Sequence, residues 1–265
     1  MQKEQWEKIN ELCDKLSKVT YENLTKIIRL NKTGSSSAAQ KLDDSFQNDV
    51  DAWMGGGTCF SMTWYLYQTL RDMGLRPRLV MGHKRKERNI HCALILPDET
   101  PEIGGAQEYL FDPGYLIFEP LPMPLPPPFG PGTALFPLVP NCVRLDRPNM
   151  ESMELWTGGA LQTSGNLSAP MKLRFDYPVE GVSVEEFKQH WNESFYREMM
   201  NYPVLNRLDR EKGIQYYYQK GNLVVRDSSG SKMERIDPSK RVETLSRIFG
   251  LAPDLVENAL GILEK

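Results

Sequence analysis

The sequence predicts an α+β fold, and three observations carry that reading. The first third repeats apolar residues at helical spacing. The middle third holds short runs of Val, Ile, Leu, Phe and Tyr between turn residues. The last third mixes both patterns. In the first third, Trp6, Ile9, Leu12, Cys13 and Leu16 fall on one helical face. A short apolar segment runs on to Leu30, and the stretch 31–37 is a loop by its Asn, Gly and Ser content. A second helix is expected around 42–50. A third opens near Cys59 and ends at Gly74, a residue suited to the positive φ that closes a helix.

The middle third predicts strands at 76–81, 90–96, 109–112, 142–145 and 171–175. The first two are joined by the charged segment 83–89, read as a hairpin loop. Between Glu119 and Pro140 lie nine of the nineteen prolines. Proline donates no backbone hydrogen bond, so this stretch is excluded from a central strand or a helix interior and is expected to be an extended surface loop. In the last third, 184–200 reads as helix, 214–220 and 223–227 as a hairpin around Gly221-Asn222, and 238–249 and 253–264 as two helices broken at Gly250.

Composition narrows the function. The chain has 265 residues, 40% hydrophobic and 25% charged, the profile of a water-soluble globular protein. A formal charge of −3 gives no support to nucleic-acid binding. No run of about eighteen apolar residues is present, so no membrane span is expected. The polar start Met1-Gln2-Lys3-Glu4 is not a signal peptide, and the expected setting is cytoplasmic, with the four cysteines reduced. With no CxxC pair and three scattered histidines, no metal site is expected.

Chemistry concentrates at Cys59. It follows the run Gly55-Gly56-Gly57-Thr58 and precedes the apolar stretch from Phe60 to Tyr67. A flexible loop ending in Cys at a helix start favours the thiolate, because the free N–H groups there attract negative charge. His91 and Asp112 lie on the two strands expected to pair across the loop centred near residue 102. That midpoint sets them roughly opposite one another and on one face of the sheet. A carboxylate there fixes the imidazole's orientation and leaves its other nitrogen for Cys59. Each residue alone has a plainer explanation: a small buried thiol, a strand histidine, an Asp-Pro-Gly turn. All three in order, on suitable elements, favour a nucleophilic triad. His83, beside a charged loop, and His190, in a polar helix, are poorer bases.

On these residues the chain resembles the arylamine N-acetyltransferases. That family carries Phe-Glu-Asn-Leu near its start, here Tyr21-Glu22-Asn23-Leu24. It carries Arg-Gly-Gly-x-Cys at the nucleophile, here Gly55-Gly56-Gly57-Thr58-Cys59. A His opening a buried strand corresponds to His91, and an Asp closing the next strand to Asp112 in Asp112-Pro113-Gly114-Tyr115. The resemblance extends to Gly221-Asn222-Leu223 and to the segment from Leu245 to Leu251.

It implies an N-terminal helical bundle (1–75), a central antiparallel β-barrel (76–180) and a C-terminal α/β lid (181–265), around a cysteine-proteinase or transglutaminase-like core. It also implies transfer of acetyl from acetyl-CoA, as co-substrate, to a small-molecule arylamine or hydrazine. The chain departs from the family in three places. Gly55 replaces an arginine expected to pair with Glu22, so Glu22 must find another partner or lie near solvent. Pro113 follows the Asp, and the proline-rich stretch after Glu119 adds a loop able to reshape the substrate cleft. Other triad acyltransferases, amide synthases, transglutaminase-like enzymes and a non-catalytic ligand-binding descendant remain the alternatives.

Three further motifs read as structural. The basic run 84–88 is expected to be a solvated hairpin tip rather than a phosphate site. Pro124-Leu125-Pro126-Pro127 is expected to be a loop rather than a docking motif. Tyr216-Tyr217-Tyr218 is expected to alternate across a sheet.

Overall fold

Helices open and close the chain, and a large antiparallel sheet fills its centre. This is seen in a computed structural model that describes residues 2–98, 107–162 and 164–264. The helices are α1 (Lys3–Ser17), α2 (Leu24–Thr33), α3 (Ser45–Asp51), α4 (Cys59–Asp72), α5 (Val184–Glu193), α6 (Arg241–Phe249) and α7 (Pro253–Leu263). The strands are β1 (Tyr21–Glu22), β2 (Arg78–Lys84), β3 (Glu87–Asp98), β4 (Gln107–Asp112), β5 (Ile117–Pro122), β6 (Thr133–Phe136), β7 (Val143–Asp146), β8 (Ser152–Thr157), β9 (Lys172–Pro178), β10 (Val204–Asp209), β11 (Ile214–Gln219), β12 (Asn222–Asp227) and β13 (Gly230–Arg235).

Eight strands form one nearly closed, barrel-like sheet in the order β5-β4-β3-β2-β9-β8-β7-β6. Alternation along each strand sends one set of side chains inward. Val80, Ala93, Ile95, Leu110, Leu145 and Leu155 make that interior. The opposite face of β3 presents Cys92, Leu94 and Leu96 to α4, where they join Phe60, Met62 and Leu66. Phe187 and Trp191 of α5 complete this second core against Phe60. Burying each large apolar side chain contributes about 2 kcal/mol, which holds α4 to the outside of β3. A five-stranded sheet, β1-β10-β11-β12-β13, packs with α6 and α7 into a third core around Tyr218, Leu245 and Phe249.

Several expectations need correction. The segment 83–89 is mostly strand: β2 and β3 pair from Arg78↔Ile95 to Lys84↔Glu87, and the turn is Arg85-Lys86 alone. The proline-rich stretch is not only loop. It supplies β5 and β6, the two edges of the large sheet, where missing N–H groups cost no ladder bond. The hairpin expected around Gly221-Asn222 turns at Lys220-Gly221, both with positive φ, and Asn222 already belongs to β12. The expected helix 184–200 stops at Glu193 and continues as short 3-10 turns. Gly74 and Gly250 do close α4 and α6 with φ of +78° and +67°.

Candidate active site

Cys59 is the first residue of α4, preceded by Thr58 in extended conformation. Its backbone N–H therefore belongs to the helix start, where donors have no intrahelical partner. The glycine loop reaches it along β1. Glu22 donates its N–H to Gly57 O at 3.0 Å, and Gly56 donates to Thr20 O at 3.0 Å. Ser61 Oγ, one turn into α4, donates to Gly56 O at 2.9 Å and lies 3.0 Å from Thr58 O. The loop is thus held on both sides by backbone-directed bonds.

β3 and β4 pair in the register Leu94↔Phe111 through Asp98↔Gln107, and the loop they flank, 99–106, lies outside the described residues. Continued, this register sets Asp112 beside Ala93, so His91 and Asp112 are diagonal rather than directly opposite. A slip of two residues keeps the face, whereas a slip of one would have lost it. His91 Nε2 lies 2.7 Å from Asp112 Oδ1. That leaves Nδ1 as the ring nitrogen for Cys59. Asp112 is fully buried, and both its oxygens are engaged: Tyr177 OH donates to Oδ2 at 2.8 Å and Tyr115 N donates to Oδ1 at 3.0 Å. Phe175 stacks on the His91 ring at 4.2 Å. Gly114 closes the site from the other side. A Cβ placed there would lie 2.8 Å from Cys59 Cα and 3.0 Å from His91 Cε1, so no larger residue fits between them.

The electrostatics single out one thiol. All four cysteines are free and buried. Burial pushes Cys13 up to about 12 and also raises Cys92 and Cys142. Cys59 moves the opposite way. The hydrogen-bonded Cys92 thiol, and then His91, hold it well below the ordinary thiol value despite its burial. Burial also opposes charge on His91, but the Asp112 carboxylate, its hydrogen bond and Cys59 outweigh this, and the imidazole pKa rises to about 10. The two shifts run in opposite senses and both favour the charged forms, thiolate on Cys59 and imidazolium on His91.

An open cleft of about 640 Å³ lies between the barrel-like sheet and the five-stranded sheet. Thr157, Lys172 and Arg174 line it from one side, Gln215, Tyr217 and Arg226 from the other. Tyr115 also lines it and meets the His91 ring edge-on at 6.2 Å, so this ring links the cleft wall to His91. His83 and His190 lie elsewhere, both bonded to Asn89. The basic tip 84–88 is largely exposed, and Tyr218 is buried in the third core.

Glu22 resolves the question posed by Gly55. The carboxylate is fully buried, and Gly55, at φ +77°, has no room for a side chain: its Cβ would lie 2.6 Å from Glu22 Cγ. The cation facing Glu22 is Lys41, with Nζ 4.0 Å from Oε1. Sequence reading missed Lys41, Tyr177 and Phe175. The alternation Phe175-Asp176-Tyr177 signals a shared strand face, but nothing local ties Lys41 to a loop fourteen residues away.

No protein-family model matches the sequence, and no curated protein matches it. Solved structures do. The arylamine N-acetyltransferase from Mycobacterium abscessus superimposes with a TM-score of 0.75 at 16% identity, covering 98% of this chain and 89% of its own. The Mycobacterium marinum enzyme in complex with CoA gives 0.69 at 15% identity, covering 96% and 92%. A Bacillus cereus arylamine N-acetyltransferase with a Cys-His-Glu catalytic triad gives 0.65 at 17% identity, covering 93% and 91%. Across nearly its whole length, the chain carries the fold of the arylamine N-acetyltransferases.

Proposed function

We propose that this chain is an N-acyltransferase that moves an acetyl group from acetyl-CoA to an arylamine or hydrazine through a thioester on Cys59. The observation that carries the reading is the arrangement at Cys59: a thiol on the first residue of α4, with an imidazole that is hydrogen-bonded at 2.7 Å to a buried carboxylate; of the four thiols it is the one whose pKa is lowered rather than raised. A CoA complex of an enzyme with this fold supports a CoA thioester as donor.

In the first half-reaction the Cys59 thiolate attacks the thioester carbonyl. The developing oxyanion is met by backbone N–H groups at the start of α4, that of Cys59 among them. The tetrahedral intermediate collapses, the C–S bond to CoA breaks, and His91 gives its proton to the departing CoA thiolate. In the second half the amine attacks the acetyl-Cys59 carbonyl, neutral His91 takes the amine proton, and Cys59 leaves as thiolate. Asp112 holds the imidazole throughout. The cleft past Tyr115 receives both substrates in turn. On this reading residues 1–75 carry the nucleophile, 76–180 the base and its orienting acid, and 181–265 cover the cleft. A cytoplasmic setting, where thiols stay reduced, suits such a nucleophile.

The test is intact-mass spectrometry after incubation with acetyl-CoA. One acetyl group is expected on the wild-type protein and none on Cys59→Ala, with release of the label when an arylamine is added. An unmodified wild-type protein would sink the proposal.

A further inference from the structure

Glu22 lies on β1, the strand that carries the nucleophile loop, and its N–H holds Gly57 O at 3.0 Å. Its side chain accepts from Thr25 N at 2.7 Å and Thr25 Oγ1 at 2.6 Å. Lys41 approaches from the segment before α3. Its side chain is 4% exposed, and Nζ lies 2.7 Å from Asp49 Oδ2 of α3 and 4.0 Å from Glu22 Oε1. Neither Nζ nor Asp49 Oδ2 has a well-angled hydrogen-bond partner, so the contact is a pairing of charges. The same ammonium would sit 3.3 Å from a Cβ on Gly57, two residues before Cys59.

One buried cation therefore pairs with α3, stands within ion-pair reach of β1 and lies beside the loop at Gly57. Lys26, the other buried lysine nearby, is engaged differently: it bonds Ser194 Oγ at 2.6 Å and lies over the Phe195 ring. Among the described residues, Lys41 is the cation within ion-pair reach of Glu22.

We propose that Lys41 is a positioning residue for the nucleophile: its ammonium fixes the loop 55–58 against β1 and α3, so that Cys59 is presented to His91. The inference rests on the reading of Cys59 as nucleophile. It assigns to residue 41 the bracing task that the family resemblance places at position 55, which here has neither the φ nor the space for a cationic side chain. Removing one partner of a buried pair leaves an uncompensated charge, so Glu22 would turn away or take up a proton, and the loop it holds would shift.

The experiment compares wild type, Lys41→Met, Lys41→Arg and the double variant Glu22→Gln/Lys41→Met. Two readouts are used: kcat and KM for acetyl transfer, and the rate of iodoacetamide alkylation at Cys59, resolved by mass spectrometry. Lys41→Met is expected to lower kcat about 10- to 100-fold with KM little changed, as for a sub-ångström misplacement of a reacting group. Cys59 alkylation should slow in parallel, and Lys41→Arg should recover most of both. If Lys41→Met does not fold, the double variant, which leaves no lone charge at residue 22, is expected to show the same losses.

Wild-type kcat and alkylation in either variant, even with a lowered melting temperature, would overturn the positioning role and leave the nucleophile reading intact. A wild-type protein that is not acetylated, and whose Cys59 alkylates no faster than a free thiol, would overturn both.

Discussion

Two buried acid–base pairs flank Cys59, and they differ in kind. His91 and Asp112 are hydrogen-bonded at 2.7 Å, and the pairing moves proton affinity: the imidazole rises to about 10. Lys41 and Glu22 stand 4.0 Å apart, and the lysine is shared with Asp49. There burial wins, and Glu22 is raised above the ordinary carboxylate value although Lys41 pulls it down. A short, hydrogen-bonded pair shifts a proton equilibrium. A longer, shared pair ties segments together. The same two charge types serve different ends because the close Asp112 charge and its hydrogen bond outweigh desolvation at His91, whereas at Glu22 the more distant Lys41 charge and the two Thr25 bonds offset it only in part.

The comparison can be broken most directly at Asp112. On the proposed mechanism Asp112→Asn keeps the shape but loses the charge that orients and supports the imidazolium, and kcat/KM should fall about 10³- to 10⁴-fold. A loss of less than about tenfold in steady-state assays would place the working base elsewhere. Gly114→Ala should come next. A methyl cannot fit between Cys59 and His91 without parting them, and a loss of about 100-fold in kcat/KM is expected with the protein still folded by circular dichroism. Tyr177→Phe removes one of the bonds to Asp112 while keeping the ring. It should cost about 1–2 kcal/mol in chemical denaturation and about tenfold in kcat.

The smallest effect is the most discriminating. A free Cys and a free His together bind one proton between their ordinary values of 9.0 and 6.5, and so does the folded thiolate–imidazolium pair. The pair therefore adds no slope of stability with pH in that window. In Cys59→Ala, His91 stays raised by Asp112. A group with a raised folded pKa stabilises fully below its unfolded value and loses that contribution as pH rises through the folded one. Urea midpoints should accordingly show the variant losing stability relative to wild type from pH 6.5 upward. A constant difference across that range would mean that the resting pair is neutral thiol and imidazole.

Much of this was legible from sequence, and the failures have physical reasons. Helical periodicity and glycine stops located α1, α4, α6 and α7, since those signals are local. β8 was overlooked although Met153, Leu155 and Thr157 alternate inward, and β13 could not be read because all its residues are exposed. The face shared by His91 and Asp112 was legible through hairpin geometry, which tolerated an error of two residues but not of one. Tyr177 and Lys41 were invisible because their partners are 65 and 19 positions away in sequence, brought near only by the sheet and the packing of α3. Gly55 was read as a missing brace. The structure gives its physical cause: Glu22 fills the space a side chain there would need.

The proline-rich stretch has one more consequence. β5 and β6 form the two end strands of the large sheet, and Pro120 and Pro122 within β5 and Pro137 directly after β6 interrupt the row of N–H donors there. A foreign strand needs an unbroken row to dock. The prolines thus leave each end of the sheet a poor template for another strand, a form of colloidal protection written into the residues that look least structured.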